Sequence, residues 1–349
     1  MSRISKYQEH IRDFLKNKSF IKNVRSSTRK IVVDMLDESD YFPGILCLTI
    51  INNRCKQGGL KMHGYHLASG IEALMMVIKV LNNRPYYDSK YTTEETSNMI
   101  IDITNWFYDC INENINTMRL SNEDIDIKKY STIVTKSINY TVKKISQITE
   151  SKFYNNNSYT RMKKTDLFCL DFDDDTVHNY KKMKRLDEAT MLTNIHNTYG
   201  MVCRMAVCLG WIIGMGDEQS IDGLESIADS IGLIIKIHDD FKTYKRDMKY
   251  GDVCSNFVVT HGVKEALILF DDSSIKYAEQ SVSVGVETKT CGEIIKVITD
   301  FINEATQDMS VDLDTEFDDI SMASRSNASN ASTMSTISSR SVKSAKYVR

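Results

Sequence analysis

The stretch from Asp239 to Asp247 carries the strongest signal for chemistry in this chain. Asp239, Thr243 and Asp247 follow one another at intervals of four residues, so on a helix their side chains share one face. The same face continues backwards through the apolar run Ile227–Ile237, which predicts that the oxygens point toward the core. Buried carboxylates are costly without a compensating partner, and sets of oxygen ligands suit Mg²⁺ or Mn²⁺. The spacing therefore predicts a divalent metal site.

Two basic residues, Lys245 and Arg246, stand beside this row of oxygens. Lysine and arginine donate charge-assisted hydrogen bonds to phosphate oxygens, so the pair indicates a ligand that carries phosphate. The alternative is that the helix simply ends in solvent and that all these residues are ordinary surface charges.

The elements that position these residues are helices. Apolar residues recur with helical spacing along the chain, no alternating strand pattern appears, and only 2 prolines and 15 glycines occur among 349 residues. We expect an all-α single bundle of about ten helices, formed by residues 1–320. The predicted helices span residues 5–36, 41–54, 61–82, 93–117, 123–151, 178–194, 197–215, 221–248, 253–280 and 290–308.

Two segments fall outside this pattern. Residues 152–177 read as a long loop that ends in the acidic run Asp171–Asp175, which we interpret as a solvated cluster at the start of a helix. Ten of the 29 residues in 321–349 are serine, so this tail cannot build a core and is expected to be disordered.

Charge and composition limit the partners. The formal net charge is −3, and residues 321–349 carry five basic and no acidic side chains, which leaves −8 for residues 1–320. An acidic body argues against nucleic acid as its main partner. The eight cysteines form no CxxC pair and no signal peptide is recognisable, so we expect reduced thiols and a cytoplasmic location. No apolar stretch approaches the roughly 20 residues of a transmembrane segment.

Three segments resemble the trans-prenyl diphosphate synthases, in the order in which that family has them. Residues 224–240 look like the helix that ends in the family's second aspartate-rich motif. Residues 57–64 are similar to its GGKxxR segment, and residues 197–200, followed by Cys208-Leu209-Gly210, resemble its KTG…LG helix. The resemblance implies the isoprenoid synthase fold, in which the helical bundle surrounds a central cavity. It also implies a prenyl diphosphate substrate, Mg²⁺ and a homodimer.

The family also has a first acidic motif, on a helix that faces the second. The resemblance places it at Asp109 and Glu113, with Cys110 at the middle acidic position and Arg119 where the family has a second arginine. Asp109 lies at the edge of the apolar stripe of its helix, so an ordinary pair of acidic residues on a helix flank is the alternative.

Departures from the family pattern affect the second diphosphate site. Leu60, His63 and Asn197 replace a lysine, an arginine and a lysine, while Lys236 replaces a glutamine. The order Asp-Asp-x-x-Thr-x-x-x-Asp from Asp239 instead fits the second metal motif of terpene cyclases, which need one diphosphate site only. We therefore expect a terpene synthase (cyclase) that ionises one allylic prenyl diphosphate.

The resemblance assigns roles to nine residues. The catalytic set is Asp109, Asp239, Asp240 and Arg246, the diphosphate-binding set is Arg119, Lys245 and Arg246, and the metal ligands are Asp109, Glu113, Asp239, Thr243 and Asp247. Aromatic residues near the motifs could stabilise a carbocation, although plain core packing is the simpler interpretation; they are Trp106, Phe107, Phe241 and Tyr244. His63, His196, His238 and Trp211 are interpreted as structural.

Two other functions stay open beside the cyclase. One is a trans-prenyl diphosphate synthase similar to the geranylgeranyl diphosphate synthases. The other is a non-catalytic partner subunit or scaffold of the same fold, which the altered first motif favours.

Overall fold

The chain is all-helical in its computed structural model, which describes residues 2–17, 24–58, 61, 63–160, 187–250 and 255–325. Side chains are described for these residues except 84–85, 151–160, 249–250 and 310–325. The described residues contain no strand, which confirms the predicted fold class. The helices are α1 (Arg3–Asn17), α2 (Ser26–Glu38), α3 (Phe42–Lys56), α4 (Tyr65–Asn82), α5 (Arg84–Lys90), α6 (Thr93–Ser121), α7 (Ile127–Thr160), α8 (Glu188–Ile195), a π-helical turn (His196–Gly200), α9 (Met201–Ile213), α10 (Ile221–Tyr250), α11 (Phe257–His261), α12 (Val263–Val284) and α13 (Lys289–Arg325).

Several helix boundaries differ from the sequence prediction. The described part of the helix predicted over 5–36 falls into two helices, α1 and α2. Helix α2 begins after Arg25, whose backbone is extended (φ −55°, ψ 151°). The helix predicted over 253–280 is broken at Gly262, whose φ of +97° suits glycine and interrupts helical hydrogen bonding. The short helix α5 was not predicted. The acidic run 171–175 lies outside the described residues.

The core forms around α3, α4, α9 and α10, which contribute many of its buried apolar side chains. Helix α9 packs against both α3 and α10, α4 packs against α3 and α6, and α10 packs against α12. The π-helical turn approaches α10 closely, because a Cβ atom on Gly232 would lie 2.8 Å from Cα of Gly200. Glycine at 232 therefore lets this turn rest directly on the backbone of α10.

Helix α6 begins with a capping box, in which Thr92 and Glu95 exchange side-chain to backbone hydrogen bonds. Its inward face presents Phe107 and Cys110 to Gly70 of α4, and Asn114 accepts a hydrogen bond from the backbone N–H of Leu67. This packing decides which face of α6 is left to solvent.

The chain divides into two compact units, residues 1–303 and 304–349. The described part of the second unit is helical and ends at Arg325, so the predicted domain boundary at residue 320 falls within α13. The predicted tail after residue 325 lies outside the described residues. Among the described helices, none has the length and apolar character needed to cross a membrane. The six described cysteines are free thiols, and five of them are buried.

Candidate functional site

A pocket of about 470 Å³ opens in the first unit between the C-terminal parts of α4 and α10, the end of α2 and the start of α5. Four of the predicted site residues line it: Asp239, Asp240, Thr243 and Arg246. Asp239 and Thr243 of the predicted row of oxygens on α10 therefore face a cavity, whereas Asp247 does not line it. A larger groove of about 720 Å³ beside α7 shares no described lining residue with this pocket and contains no predicted site residue.

The pocket also contains polar residues for which the sequence did not predict a role in the site. Its walls include Glu72 and Lys79 of α4, Lys236 of α10, and three tyrosines, which are Tyr86, Tyr87 and Tyr199. Glu72 and Lys79 are the charged residues of an otherwise apolar run on α4, Ile71–Leu81. These two isolated charges could have been recognised in the sequence as site residues, because a charge inside an apolar helix needs a buried partner.

Asp239 is bound to a lysine from a helix distant in sequence. The Lys79 Nζ lies 2.8 Å from Asp239 Oδ2, and the Tyr199 hydroxyl donates to the same oxygen at 2.8 Å. Burial alone raises the pKa of this carboxyl group, but the nearby Lys79 ammonium outweighs it and holds the pKa well below its usual range. Asp239 is therefore ionised and already paired.

Asp240 is bound on both oxygens. Lys236 Nζ contacts Oδ1, and the backbone N–H of Phe257 donates to Oδ2 at 2.9 Å. Lys236 Nζ also donates to the carbonyl oxygen of Ser255 at 2.6 Å. Burial nevertheless raises the pKa of Asp240 to about 7. The residue thus fastens the segment before α11 to α10.

Asp247 is turned away from the pocket and is buried. Arg246 Nε donates to Oδ1 at 3.0 Å, while the Thr243 hydroxyl and Asn256 Nδ2 donate to Oδ2 at 2.5 and 2.8 Å. The Arg246 guanidinium also lies 4.4 Å from the centre of the Tyr86 ring, in cation–π geometry. The Asp247 carboxylate therefore links α10 to Asn256, the residue before α11, and also bonds two residues of its own helix.

The structure does not bring the other predicted residues to this pocket. Asp109 and Glu113 are exposed, because Phe107 and Cys110 on the opposite flank of α6 make the contact with α4. Arg119 is exposed as well, with its guanidinium 5.4 Å from the Tyr130 ring centre. Lys245 is exposed and does not line the pocket. Trp106, Phe107 and Phe241 are buried core residues.

These contacts do not fit the Mg²⁺ cluster that the resemblance implies. Such a cluster needs two acidic walls, whereas the α4 side presents Lys79 and Asn83, and its one carboxyl group, Glu72, accepts a hydrogen bond from the Gly44 N–H. It also needs free carboxylate oxygens, yet both oxygens of Asp240 and of Asp247 already accept hydrogen bonds. The Lys79, Lys236 and Arg246 side chains supply the positive charge that buried carboxylates require.

Comparison with known proteins supports the fold. No protein-family model matches the chain, and no curated protein matches it. Among solved structures, it resembles a geranyltransferase from Legionella pneumophila (TM-score 0.52, 11% identity, covering 87% of this chain and 96% of that one). It also resembles an FPP/GFPP synthase from Zymomonas mobilis (TM-score 0.53, 10% identity, 86% and 98% covered).

A third similar structure is the geranylgeranyl pyrophosphate synthetase from the archaeon Geoglobus acetivorans, with a TM-score of 0.52 and 11% identity over 86% of this chain and 97% of that one. Identities this low establish a shared fold and leave the activity open. The resemblance predicted from three short motifs is confirmed at that level. The chain has the all-helical isoprenoid synthase fold, in the form found in the trans-prenyl diphosphate synthases.

Proposed function

We propose that this chain is a non-catalytic member of the trans-prenyl diphosphate synthase fold, a partner subunit or scaffold and not a cyclase. One observation carries the proposal. Every acidic residue in the α10 row is matched by an internal cation: Asp239 by Lys79, Asp240 by Lys236 and Asp247 by Arg246.

The charge balance explains why this arrangement suits a non-catalytic role. Class I isoprenoid chemistry requires stabilisation of the charge that develops on a departing diphosphate. In this pocket Lys79, Lys236 and Arg246 are already engaged by the α10 carboxylates, so these cations are not free to bind a diphosphate. The fold keeps a cavity, but the cations and carboxylates of α4 and α10 that line it are largely paired with one another.

Incubation with labelled allylic diphosphates tests the proposal. The full chain would be mixed with geranyl, farnesyl or geranylgeranyl diphosphate in the presence of Mg²⁺, with and without isopentenyl diphosphate. We expect no consumption of any substrate and no increase of the melting temperature with Mg²⁺. Turnover of any of these substrates by a folded sample would contradict the proposal.

A variant that should respond to Mg²⁺ provides a comparison for the expected lack of response in the wild type. Lys236→Gln restores the glutamine of the prenyl synthase pattern and frees Asp240 Oδ1. We expect Mg²⁺ to raise the melting temperature of this variant while leaving the wild type unchanged. Lys245→Gln is the matched control, since Lys245 is an exposed lysine on the same helix.

The second candidate is an active trans-prenyl diphosphate synthase. The likeness to three solved structures of that kind supports it more than it supports the cyclase. It requires Lys79 and Lys236 to leave their carboxylates when substrate binds. Chain elongation in the labelled incubation would establish it. The Mg²⁺ requirement, the homodimer and the cytoplasmic location remain predictions.

A further inference from the structure

One carboxylate oxygen in the α10 row accepts no hydrogen bond from the described residues: Oδ1 of Asp239, whose other oxygen holds Lys79 and Tyr199. It faces the Nδ1 atom of His238 at 3.8 Å. His238 is 3% exposed, and its Nδ1 is buried without a hydrogen-bond partner. Two polar atoms that face each other in the core and do not bond are costly unless something joins them.

A third ligand atom completes the group. Oδ2 of Asp40, in the link between α2 and α3, lies 3.9 Å from His238 Nδ1, and the three ligand atoms lie within 4.8 Å of one another. These distances are too long for direct hydrogen bonds. Two ligands that each stand about 2.0–2.2 Å from one metal ion are separated by at most about 4.4 Å. The gap at His238 is therefore of the size that a metal ion spans.

We propose that His238 Nδ1, Asp239 Oδ1 and Asp40 Oδ2 bind one divalent transition-metal ion of the Zn²⁺ class. An imidazole with two carboxylates is a ligand set that Zn²⁺, Co²⁺ and Mn²⁺ accept, whereas Mg²⁺ prefers oxygen alone. Three protein ligands leave a coordination position for water. The site joins the α2–α3 link to α10, and it stands apart from the proposed non-catalytic role, because metal binding is measurable without turnover.

The surroundings hold the ligands in place. The His238 ring packs edge-on against Phe42 and Phe301, with ring centres 5.4 and 4.8 Å away. Asp239 is oriented by the two donors on its Oδ2, and such outer contacts on ligating carboxylates are typical of metal sites. Lys79 is thus a positioning residue for the carboxylate that turns its free oxygen toward His238.

One side chain competes with the metal. Lys242 Nζ lies 2.7 Å from Asp40 Oδ2 and also donates to the carbonyl oxygen of Glu38. The lysine is exposed at the end of a flexible stem, so it can withdraw when a metal arrives. Its removal is therefore expected to strengthen metal binding, the opposite of removing a ligand.

Cobalt titration tests the site. The full chain, stripped of metal with a chelator, would be titrated with Co²⁺ and followed by visible absorption, with Zn²⁺ as competitor. We expect one Co²⁺ per chain, displaced by Zn²⁺ and not by millimolar Mg²⁺. Outer-sphere contacts alone change metal affinity by about 10–100-fold, so His238→Gln and Asp40→Asn should each weaken binding by at least about 100-fold. Lys242→Gln should strengthen it by about tenfold.

His196→Gln is the matched control. His196 also stands near an aspartate, with Nδ1 3.4 Å from Asp229 Oδ2, but Arg204 already contacts both residues. The Co²⁺ affinity of the His196→Gln variant should equal that of the wild type. Absence of Co²⁺ binding by the wild type, or unchanged affinity in both His238→Gln and Asp40→Asn, would overturn the site. If His238→Gln fails to fold by circular dichroism, the opposite effects expected for Asp40→Asn and Lys242→Gln decide the outcome.

Discussion

Two helices of this protein carry acidic residues at multiples of four, and the fold treats them in opposite ways. On α10, Asp239 and Asp247 stand eight residues apart and are buried and bonded to cations, while on α6 Asp109 and Glu113 stand four apart and are exposed. In both pairs the spacing places the two residues on one face of the helix. The difference shows that helical spacing assigns residues to one face, whereas the neighbouring helices decide whether that face meets solvent, a cavity or a partner.

The largest expected effect on stability comes from removing the cation that pairs with Asp239 on α10. Lys79→Met keeps the aliphatic stem but leaves Asp239 without its ammonium partner. Removing one member of a buried pair costs about 3–5 kcal/mol of unfolding free energy. Urea denaturation would measure it.

A matched ion pair at the surface provides the control. Lys136 lies 2.9 Å from Glu218, about as close as Lys79 to Asp239, but both partners are exposed. Lys136→Met should cost about 0–1 kcal/mol. Equal losses in the two variants would mean that burial of the α10 pair does not matter. Adding Asp239→Leu to Lys79→Met should recover much of the loss.

The second effect depends on pH and concerns Glu72, which is buried in the same pocket. Burial raises its pKa from 4.5 to about 7, and the hydrogen bond from the Gly44 N–H opposes this rise. The difference in pKa corresponds to about 3 kcal/mol of unfolding free energy at most. Because the folded-state pKa is the higher one, this contribution is fully present below pH 4.5 and is lost as the pH rises through 7. Glu72→Gln should therefore be close to neutral in stability at pH 5 and stabilising at pH 8.

Urea midpoints at several pH values would measure this dependence. The exposed Glu113→Gln is the control for the general effect of replacing a glutamate by glutamine. A constant difference between Glu72→Gln and wild type across pH 5–8 would show that Glu72 titrates normally.

A smaller effect on stability is expected to distinguish Arg246 from Arg119. Arg246 stacks on Tyr86 and bonds Asp247, whereas Arg119 lies over Tyr130 at the surface. Arg246→Lys loses the planar stacking and should cost about 1 kcal/mol by thermal unfolding. Arg119→Lys should cost less than about 0.5 kcal/mol. The reverse order would show that the ring contact and ion pair of Arg246 contribute less to stability than the surface contact of Arg119.

The smallest effect is expected on α6 itself. Asp109→Asn and Glu113→Gln should each change stability by no more than about 0.5 kcal/mol, since exposed residues without close partners tolerate substitution. Neither variant should alter Co²⁺ affinity or the response to Mg²⁺. A loss of metal binding in either one would show that α6 does form the second acidic wall.

Much of the fold could be predicted from the sequence. Helical periodicity and the scarcity of proline predict an all-α chain, and three short motifs pointed to the isoprenoid synthase fold. Helix ends were less predictable. The break at Gly262 depends on a backbone with positive φ, and the two helices within residues 5–36 share one continuous periodic pattern.

The candidate site was predictable only in part. The apolar stripe of α10 placed Asp239, Thr243 and Asp247 on one face, because local spacing fixes which residues share a face, and Asp239 and Thr243 line the pocket. It gave His238 a structural role only, because Asp40, which lies 3.9 Å from its Nδ1, belongs to a distant link. It also placed the facing acidic wall on α6, where Phe107 and Cys110 turn inward and the acidic residues turn outward.

The sequence by itself determined that this chain is helical and that a row of carboxylates lies on a buried face. Both properties follow from periodicity within a single helix. Only the tertiary structure decided what compensates the buried charge, since Lys79 and Asp239 belong to helices far apart in the chain. Pairing between distant residues depends on how helices pack, and neither spacing nor composition encodes it.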